Sequence, residues 1–370
     1  MSMEEKKYEQ LVREEIHTLK PYIPGKPIEE VKKEYGLEQI IKLASNENPL
    51  GVSEKVKKAV LDDIDNIYRY PDGGCRIIKK PLAKKLGITE DMLLFGNGSD
   101  GLLKVIGETF FSKGDQVVIS DPTFVEYIFV SNLMGAELKR VKMDPYNQDI
   151  KGIIEMVTGK TKMVFLTSPH NPAGTIIKDK DLKYLLDSIP ANVLVVLDEA
   201  YYEYVQDEEY PDVLEYINKG YPIIALRTFS KAYGLAGLRI GYAIADQKLI
   251  SLLSKAREPF NVNRVSQIAA RAALEDEEFL KRAVEVNETG KKYLYKELEA
   301  RNINYVPTES NFILVNIGMD SMEVFSKLLK NGVIIRPGKP LGYPEHIRLT
   351  IGLPEENKIF INSIDKLLAE

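Results

Sequence analysis

Cysteine and histidine are both scarce in this chain. With one cysteine, Cys75, among 370 residues, no intrachain disulfide can form and no cysteine-based metal site can be built. The histidines are His17, His170 and His346, and no two stand at metal-ligand spacing, so zinc or iron chemistry is not expected. No window approaches the roughly 18 continuous apolar residues of a membrane span. The start of the chain is charged and has no apolar signal core, so a cytoplasmic protein is expected. A formal net charge of −5 gives no electrostatic reason to expect nucleic-acid or membrane partners. Internal repeats, low-complexity tracts and flexible linkers are missing too.

What is present is the profile of a globular protein, with 44% hydrophobic and 28% charged residues. Its length suggests about two domains. In the middle of the chain, short β-branched runs at Val117–Ser120, Met163–Thr167, Val193–Leu197 and Ile223–Leu226 suit strands buried on both faces. Amphipathic stretches such as Ile150–Thr158 and Lys180–Ser188 lie between them. This rhythm predicts an α/β fold with a mostly parallel central sheet flanked by helices. Residues from about Leu249 to Ala300 read as mostly helical. Strand-like pieces follow at Asn311–Val315 and His346–Ile351, then a final helix, as in a smaller α+β domain. The expected division is a large domain over 46–255, and a small one from 1–45 plus 256–370. The proline-rich start, Lys20 to Gly25, reads as an extended arm of the small domain.

Each apolar run leads into a polar cluster. These are Asp121-Pro122-Thr123-Phe124, Ser168 to Gly174, Asp198-Glu199-Ala200-Tyr201 and Arg227 to Lys231. Open α/β sheets bind ligands beyond the carboxyl ends of their strands, so the clusters should converge on one site.

Lys231 is the first candidate. A lone lysine is ordinarily a solvated surface residue. A lysine that forms a Schiff base must be unprotonated at the moment of attack, which burial and neighbouring cations favour. Ser230-Lys231 stands just past a buried-strand pattern and is followed by Gly234 to Tyr242. Glycines there permit close approach to a ligand, and Arg239 supplies a fixed cation for a phosphate. Asp198, an ordinary strand-end aspartate if taken alone, can keep a heterocyclic nitrogen protonated so that the ring draws electrons. Tyr201 and Asn171 could bond a ring hydroxyl oxygen. Phe95 to Gly101 is a Gly-rich turn that opens a helix and offers N–H groups to a phosphate, although Ser-Asp there is also an ordinary cap. Phe124 could stack on a ring, or simply fill core. His170 is a weaker candidate base than Lys231, and Cys75 reads as structural or incidental.

Together these residues resemble the fold-type I aminotransferases, which use pyridoxal 5′-phosphate (PLP). Among them the chain is most similar to the histidinol-phosphate aminotransferases. The likeness runs almost end to end. It is carried by Leu43 to Gly51, Arg69 to Gly73, Gly98-Ser99-Asp100, Ser168 to Gly174, Asp198 to Tyr201 and Arg227 to Gly241. It continues through Arg257 to Val262, Ile335 to Gly338 and Ile347 to Gly352. The Arg227–Gly241 block is the most specific piece. The resemblance implies that Lys231 binds the cofactor and moves protons, Asp198 meets the ring nitrogen, and Asn171 and Tyr201 hold the ring hydroxyl oxygen. Ser99, Asp100, Ser230 and Arg239 would surround the phosphate. Tyr70 would reach the cofactor of a neighbouring subunit, which implies a homodimer. Tyr22, Asn46, Arg336 and Arg348 would meet the substrate. The chain departs from the family's frequent Tyr at Phe124, Asn at His170 and Thr at Ala173.

The implied reaction exchanges an amino group between glutamate and 2-oxoglutarate on one side and histidinol phosphate and its ketone on the other. One anion site must then take both a carboxylate and a phosphate ester, which an arginine fork suits. Other readings are an aromatic-amino-acid aminotransferase, a PLP-dependent decarboxylase of a phosphorylated amino acid, and a non-catalytic binding protein. Intact Lys231, Asp198 and Arg239 argue against the last.

Overall fold

The computed structural model describes residues 8–19, 28–37 and 39–369. Tyr22 and the whole proline-rich arm, Lys20 to Gly25, lie outside them. In chain order the strands are β1 (Ile41–Leu43), β2 (Leu93–Gly96), β3 (Gln116–Asp121), β4 (Glu137–Lys142), β5 (Thr161–Thr167) and β6 (Leu194–Asp198). They continue as β7 (Ile223–Thr228), β8 (Gly241–Ile244), β9 (Asn304–Val306), β10 (Phe312–Asn316), β11 (Val333–Pro337) and β12 (His346–Thr350).

A seven-stranded sheet runs in the order β2-β8-β7-β6-β5-β3-β4. Only β8 opposes its neighbours, so the sheet is mostly parallel. Every residue of β6 and β7 is buried. Helices cover both faces, which is why these strands read as continuous apolar runs rather than as alternation. β4, at the edge, is polar and partly exposed, and its charges discourage further pairing. One difference from the sequence reading matters. Asp198 closes β6 instead of following it, because its backbone pairs with Thr167 of β5.

The second sheet has the order β1-β11-β12-β10-β9. β1 pairs parallel to β11, which brings residues 41–43 against the C-terminal part of the chain. The helix at Glu277–Glu299 and the final helix at Pro354–Ala369 bury Leu294, Leu298, Phe360 and Ile364 against this sheet. The helix at Arg264–Leu274 packs elsewhere. Its Ala269, Ala270 and Leu274 join the core of the seven-stranded sheet.

No described helix is long and apolar enough to cross a membrane. Among the described residues, no group of three His, Cys, Asp or Glu could hold a metal ion.

Candidate active site

The carboxyl ends of β5, β6 and β7 meet the small sheet, and the candidate residues collect there. Asp198 is 3% exposed. Its Oδ2 accepts the Tyr127 hydroxyl at 2.7 Å and its Oδ1 accepts the Ala200 N–H at 3.1 Å. Burial pushes its carboxyl up to about 6, against the pull of those two donors. A partner carrying positive charge would restore the carboxylate.

Lys231 follows β7 by three residues. Its Nζ donates to the Ser45 carbonyl at 3.2 Å and lies 5.6 Å from the centroid of the Tyr201 ring. Burial, and then the Arg348 guanidinium, bring its amine down to about 8. A much larger fraction is therefore neutral near physiological pH than for an ordinary lysine. The following turn is tight. Gly234 has φ +71°, and a Cβ there would come within 2.1 Å of the Gly51 carbonyl oxygen.

A cup for an anion lies on the other side. The helix Gly98–Phe110 begins with Ser99 and Asp100 in its first turn, and Asn97 makes no capping hydrogen bond. Its N–H groups and the positive end of its dipole are therefore available to a ligand. Arg239, in the left-handed region at φ 51°, points back at this turn. Its Nη2 donates to Asp100 Oδ2 at 2.9 Å and its Nη1 lies 3.5 Å from Ser230 Oγ. The cup needs small residues. A Cβ on Gly98 would meet Arg239 Nη2 at 2.9 Å, and one on Gly241 would meet the Ser99 nitrogen at 3.1 Å.

The small sheet supplies the opposite wall. Buried Asn46, at φ 55°, donates to the Tyr201 hydroxyl at 2.9 Å, and Asn171 donates to the same oxygen at 3.4 Å. Burial raises the Tyr201 phenol, while Arg348 and the Asn46 amide oppose the shift. Arg348 donates to Asn171 Oδ1 at 2.6 Å and to the Ala44 carbonyl at 2.9 Å, and sits 5.3 Å from the centroid of Phe312. Arg336 is its direct partner across β11 and β12.

Other sequence candidates fall differently. Phe124 starts the helix Val125–Leu133 and meets Tyr127 edge-on at 5.6 Å. Tyr70 is 82% exposed and stacks on Phe260 at 4.9 Å. His170 is fully buried, and burial lowers it to about 4, so it is neutral and makes a poor proton shuttle. Cys75 is buried and its thiol is pushed up to about 11, which makes it unreactive.

Sequence reasoning overlooked Tyr127, with Thr167 beside it, and the carbonyls of Ala44 and Ser45. It also missed the ion pair beneath the site, where Arg227 Nε donates to Glu199 Oε2 at 2.8 Å, both side chains almost wholly buried. That pair ties the end of β7 to the residue after Asp198. Breaking such a pair from one side costs about 3–5 kcal/mol.

The arrangement suits a planar heterocycle bearing a carbonyl and a phosphate. It offers an amine that is readily neutral, a buried carboxylate in want of a cation, two groups on one phenolic oxygen position, and a glycine-lined anion cup. Comparison with known proteins agrees. The family model "Aminotransferase class I and II" matches residues 38–364. A histidinol-phosphate aminotransferase of Moorella thermoacetica is 48% identical over 96% of this chain and 93% of its own length. One of Caldicellulosiruptor saccharolyticus is 44% identical, over 97% and 100%. The crystal structure of histidinol-phosphate aminotransferase from Sinorhizobium meliloti, in complex with pyridoxal-5′-phosphate, superposes with a TM-score of 0.88. It is 27% identical and covers 96% of this chain and 98% of its own. The chain therefore belongs to the class I and II aminotransferase family.

Proposed function

We propose that this protein is a PLP-dependent transaminase. It exchanges an amino group between histidinol phosphate and 2-oxoglutarate, in the direction that serves histidine biosynthesis when glutamate is the donor. The reading is carried by one observation, the pairing of Arg336 with Arg348 across β11 and β12 beside Asn171 and Tyr201. It is supported by curated relatives of that activity at 42–48% identity over nearly the whole chain.

PLP, when bound, supplies a carbonyl for an amine and a protonated ring that withdraws electrons from the substrate carbon. Lys231 Nζ would hold that carbonyl and, as a neutral amine, would take and return the proton at the substrate carbon. Its lowered amine suits it to that work near neutral pH. Asp198 would face the ring nitrogen and hold the proton on it. Asn171 and Tyr201 would orient the ring hydroxyl oxygen, and Phe124 would cover the ring face. Ser99 and Asp100 through their N–H groups, with Ser230 and Arg239, would hold the phosphate. Arg348, with Arg336 next to it, holds the α-carboxylate of glutamate and then the phosphate ester of histidinol phosphate, which takes the same place relative to the reacting carbon. Asn46 lines the substrate side; Tyr22, the other residue expected there, lies outside the described residues.

The finer proposals are a cytoplasmic homodimer in which Tyr70 reaches the partner's cofactor phosphate, and a division into a large domain at 46–255 and a small one from the rest. In support of the dimer, Leu61, Ile64, Ile67, Tyr68, Tyr70 and Phe260 are all substantially exposed. Large apolar side chains gathered on a surface suit an interface between subunits.

The deciding experiment compares histidinol phosphate and phenylalanine as amino donors to 2-oxoglutarate. A kcat/KM favouring histidinol phosphate is expected. A preference for phenylalanine would make the enzyme an aromatic-amino-acid aminotransferase, and turnover without a 2-oxo acid would make it a decarboxylase.

A further inference from the structure

Tyr127 is fully buried on the helix Val125–Leu133. Its hydroxyl touches two groups, Asp198 Oδ2 at 2.7 Å and Thr167 Oγ1 at 2.9 Å. An ionised carboxylate can only accept, so the tyrosine's single proton is directed to Asp198, and Thr167 in turn donates to the tyrosine oxygen. The Tyr127 ring is clamped. It stacks on Phe165 at 4.8 Å with an interplanar angle of 4°, and meets Phe124 edge-on at 5.6 Å and 79°. One side chain therefore touches both Asp198 and the aromatic residue read as covering the cofactor ring.

Tyr127 makes the side-chain hydrogen bond to Asp198, and the Ala200 N–H makes the other. Burial favours the neutral acid here. The carboxylates of Asp100 and Glu199 push the same way, and the buried Tyr201 phenol also faces Asp198. The Tyr127 hydroxyl and the Ala200 N–H oppose them. We infer that Tyr127 is a positioning residue for the transamination. Its hydroxyl aims the Asp198 carboxylate and keeps it charged in a pocket that otherwise favours the neutral acid. The inference rests on the reading of Asp198 as the partner of the ring nitrogen.

Tyr127→Phe keeps the ring and its stacking and removes only the hydroxyl. The first measurement uses the cofactor-free protein. Infrared difference spectroscopy follows the carbonyl band of the protonated Asp198 carboxyl through a pH titration, with Asp198→Asn to assign the band. The midpoint should rise by about one pH unit in Tyr127→Phe, the scale of one lost hydrogen bond to a carboxylate. In cofactor-saturated enzyme kcat should fall, with KM little changed. Thr167→Val keeps the Tyr127–Asp198 bond and removes the donor behind it, so it should shift the midpoint in the same direction by less and lower kcat by less. An unmoved midpoint in Tyr127→Phe overturns the inference even if turnover falls, because a space-filling tyrosine would give that result. A moved midpoint with an unchanged kcat overturns it through the reading beneath it, the place of Asp198 at the ring nitrogen. If Tyr127→Phe does not fold, the titration of Thr167→Val decides alone, and an unmoved midpoint there overturns the inference.

Discussion

Arg336 and Arg348 stand directly opposite each other on antiparallel β11 and β12, so both side chains leave the same face of the small sheet. Like charges opposed in this way are unfavourable without an anion to share. Arg348 is held in place by Asn171 and by the Ala44 carbonyl. Under the proposed function the pair would meet an acidic group of the substrate.

Arg348→Ala should damage both half-reactions. A lost hydrogen-bonding partner of a charged group costs about 1.5–3 kcal/mol, or roughly 10- to 150-fold in kcat/KM. Arg348→Lys should recover only part of this, because it keeps the charge and loses the fork. Single-turnover assays with each donor alone will check it. Failure with glutamate but normal reaction of histidinol phosphate would separate the two anions and make Arg336 the phosphate reader.

Lys231 yields a pH prediction. Only the neutral amine can attack the cofactor carbonyl. With the amine at about 8 instead of its ordinary 10.5, the rate of cofactor capture by the cofactor-free protein should rise roughly tenfold per pH unit up to about 8, then level. Arg348 helps to hold the amine down, so Arg348→Ala should move the plateau to higher pH. Stopped-flow absorbance at a series of pH values will show it. A rate still climbing past pH 9.5 in the unaltered protein would mean an unperturbed lysine. Lys231→Ala should lose turnover by at least about 10²- to 10⁴-fold, the scale of a missing acid–base group. Borohydride reduction with peptide mapping should place the label on Lys231 in the unaltered protein.

Asp198→Ala should lose far more activity than cofactor. The anion cup formed by Ser99, Asp100, Ser230 and Arg239 makes no hydrogen bond to Asp198, and under the proposed function it would still anchor the phosphate. The carboxylate acts on a charge that matters most in the transition state, so kcat should fall by about 10²–10³-fold. Equilibrium dialysis of the cofactor, set beside kcat at saturation, tests this split. Near-normal kcat would remove Asp198 from the chemistry.

How much of this was legible in the sequence follows from the range of each contact. Strands buried on both faces read as apolar runs, and Asp198 and Lys231 stand at or just past the ends of two of them. Those residues could be singled out from local pattern alone. Tyr127 could not. It lies in a helix written Val-Glu-Tyr-Ile-Phe-Val, where a tyrosine reads as core, and its partners Thr167 and Asp198 are 40 and 71 residues away. The wall was harder still, since Arg348 meets Ala44 across 304 residues of sequence. Arg348 was recognised through family likeness, whereas the carbonyls of Ala44 and Ser45 carry no side-chain signal at all. The strand end at Asp198 was set one residue short, because the pairing that extends β6 comes from Thr167 on its neighbour.

Tyr70 provides the sharpest test of the assembly. Tyr70 is 82% exposed and stacks on Phe260, which sits in the left-handed region at φ 54°. A large aromatic side chain held outward in this way suits contact with a second copy of the chain. If Tyr70 serves the second copy's site, each active site takes Lys231 from one chain and Tyr70 from the other. Two variants then complement each other. Lys231→Ala homodimers should be inactive, and Tyr70→Phe homodimers should bind cofactor more weakly, having lost a hydroxyl from the phosphate site. In a heterodimer of the two, one site collects both lesions and the other collects none. Differently tagged chains, co-expressed and purified through both tags, should therefore contain one site per dimer with the cofactor affinity and kcat of the unaltered enzyme. If Tyr70 served its own chain, every heterodimer site would carry one lesion, and the affinity would remain that of Tyr70→Phe. Cofactor titration of the doubly tagged species separates the two arrangements, and recovery of the unaltered affinity in half of the sites is the expected result.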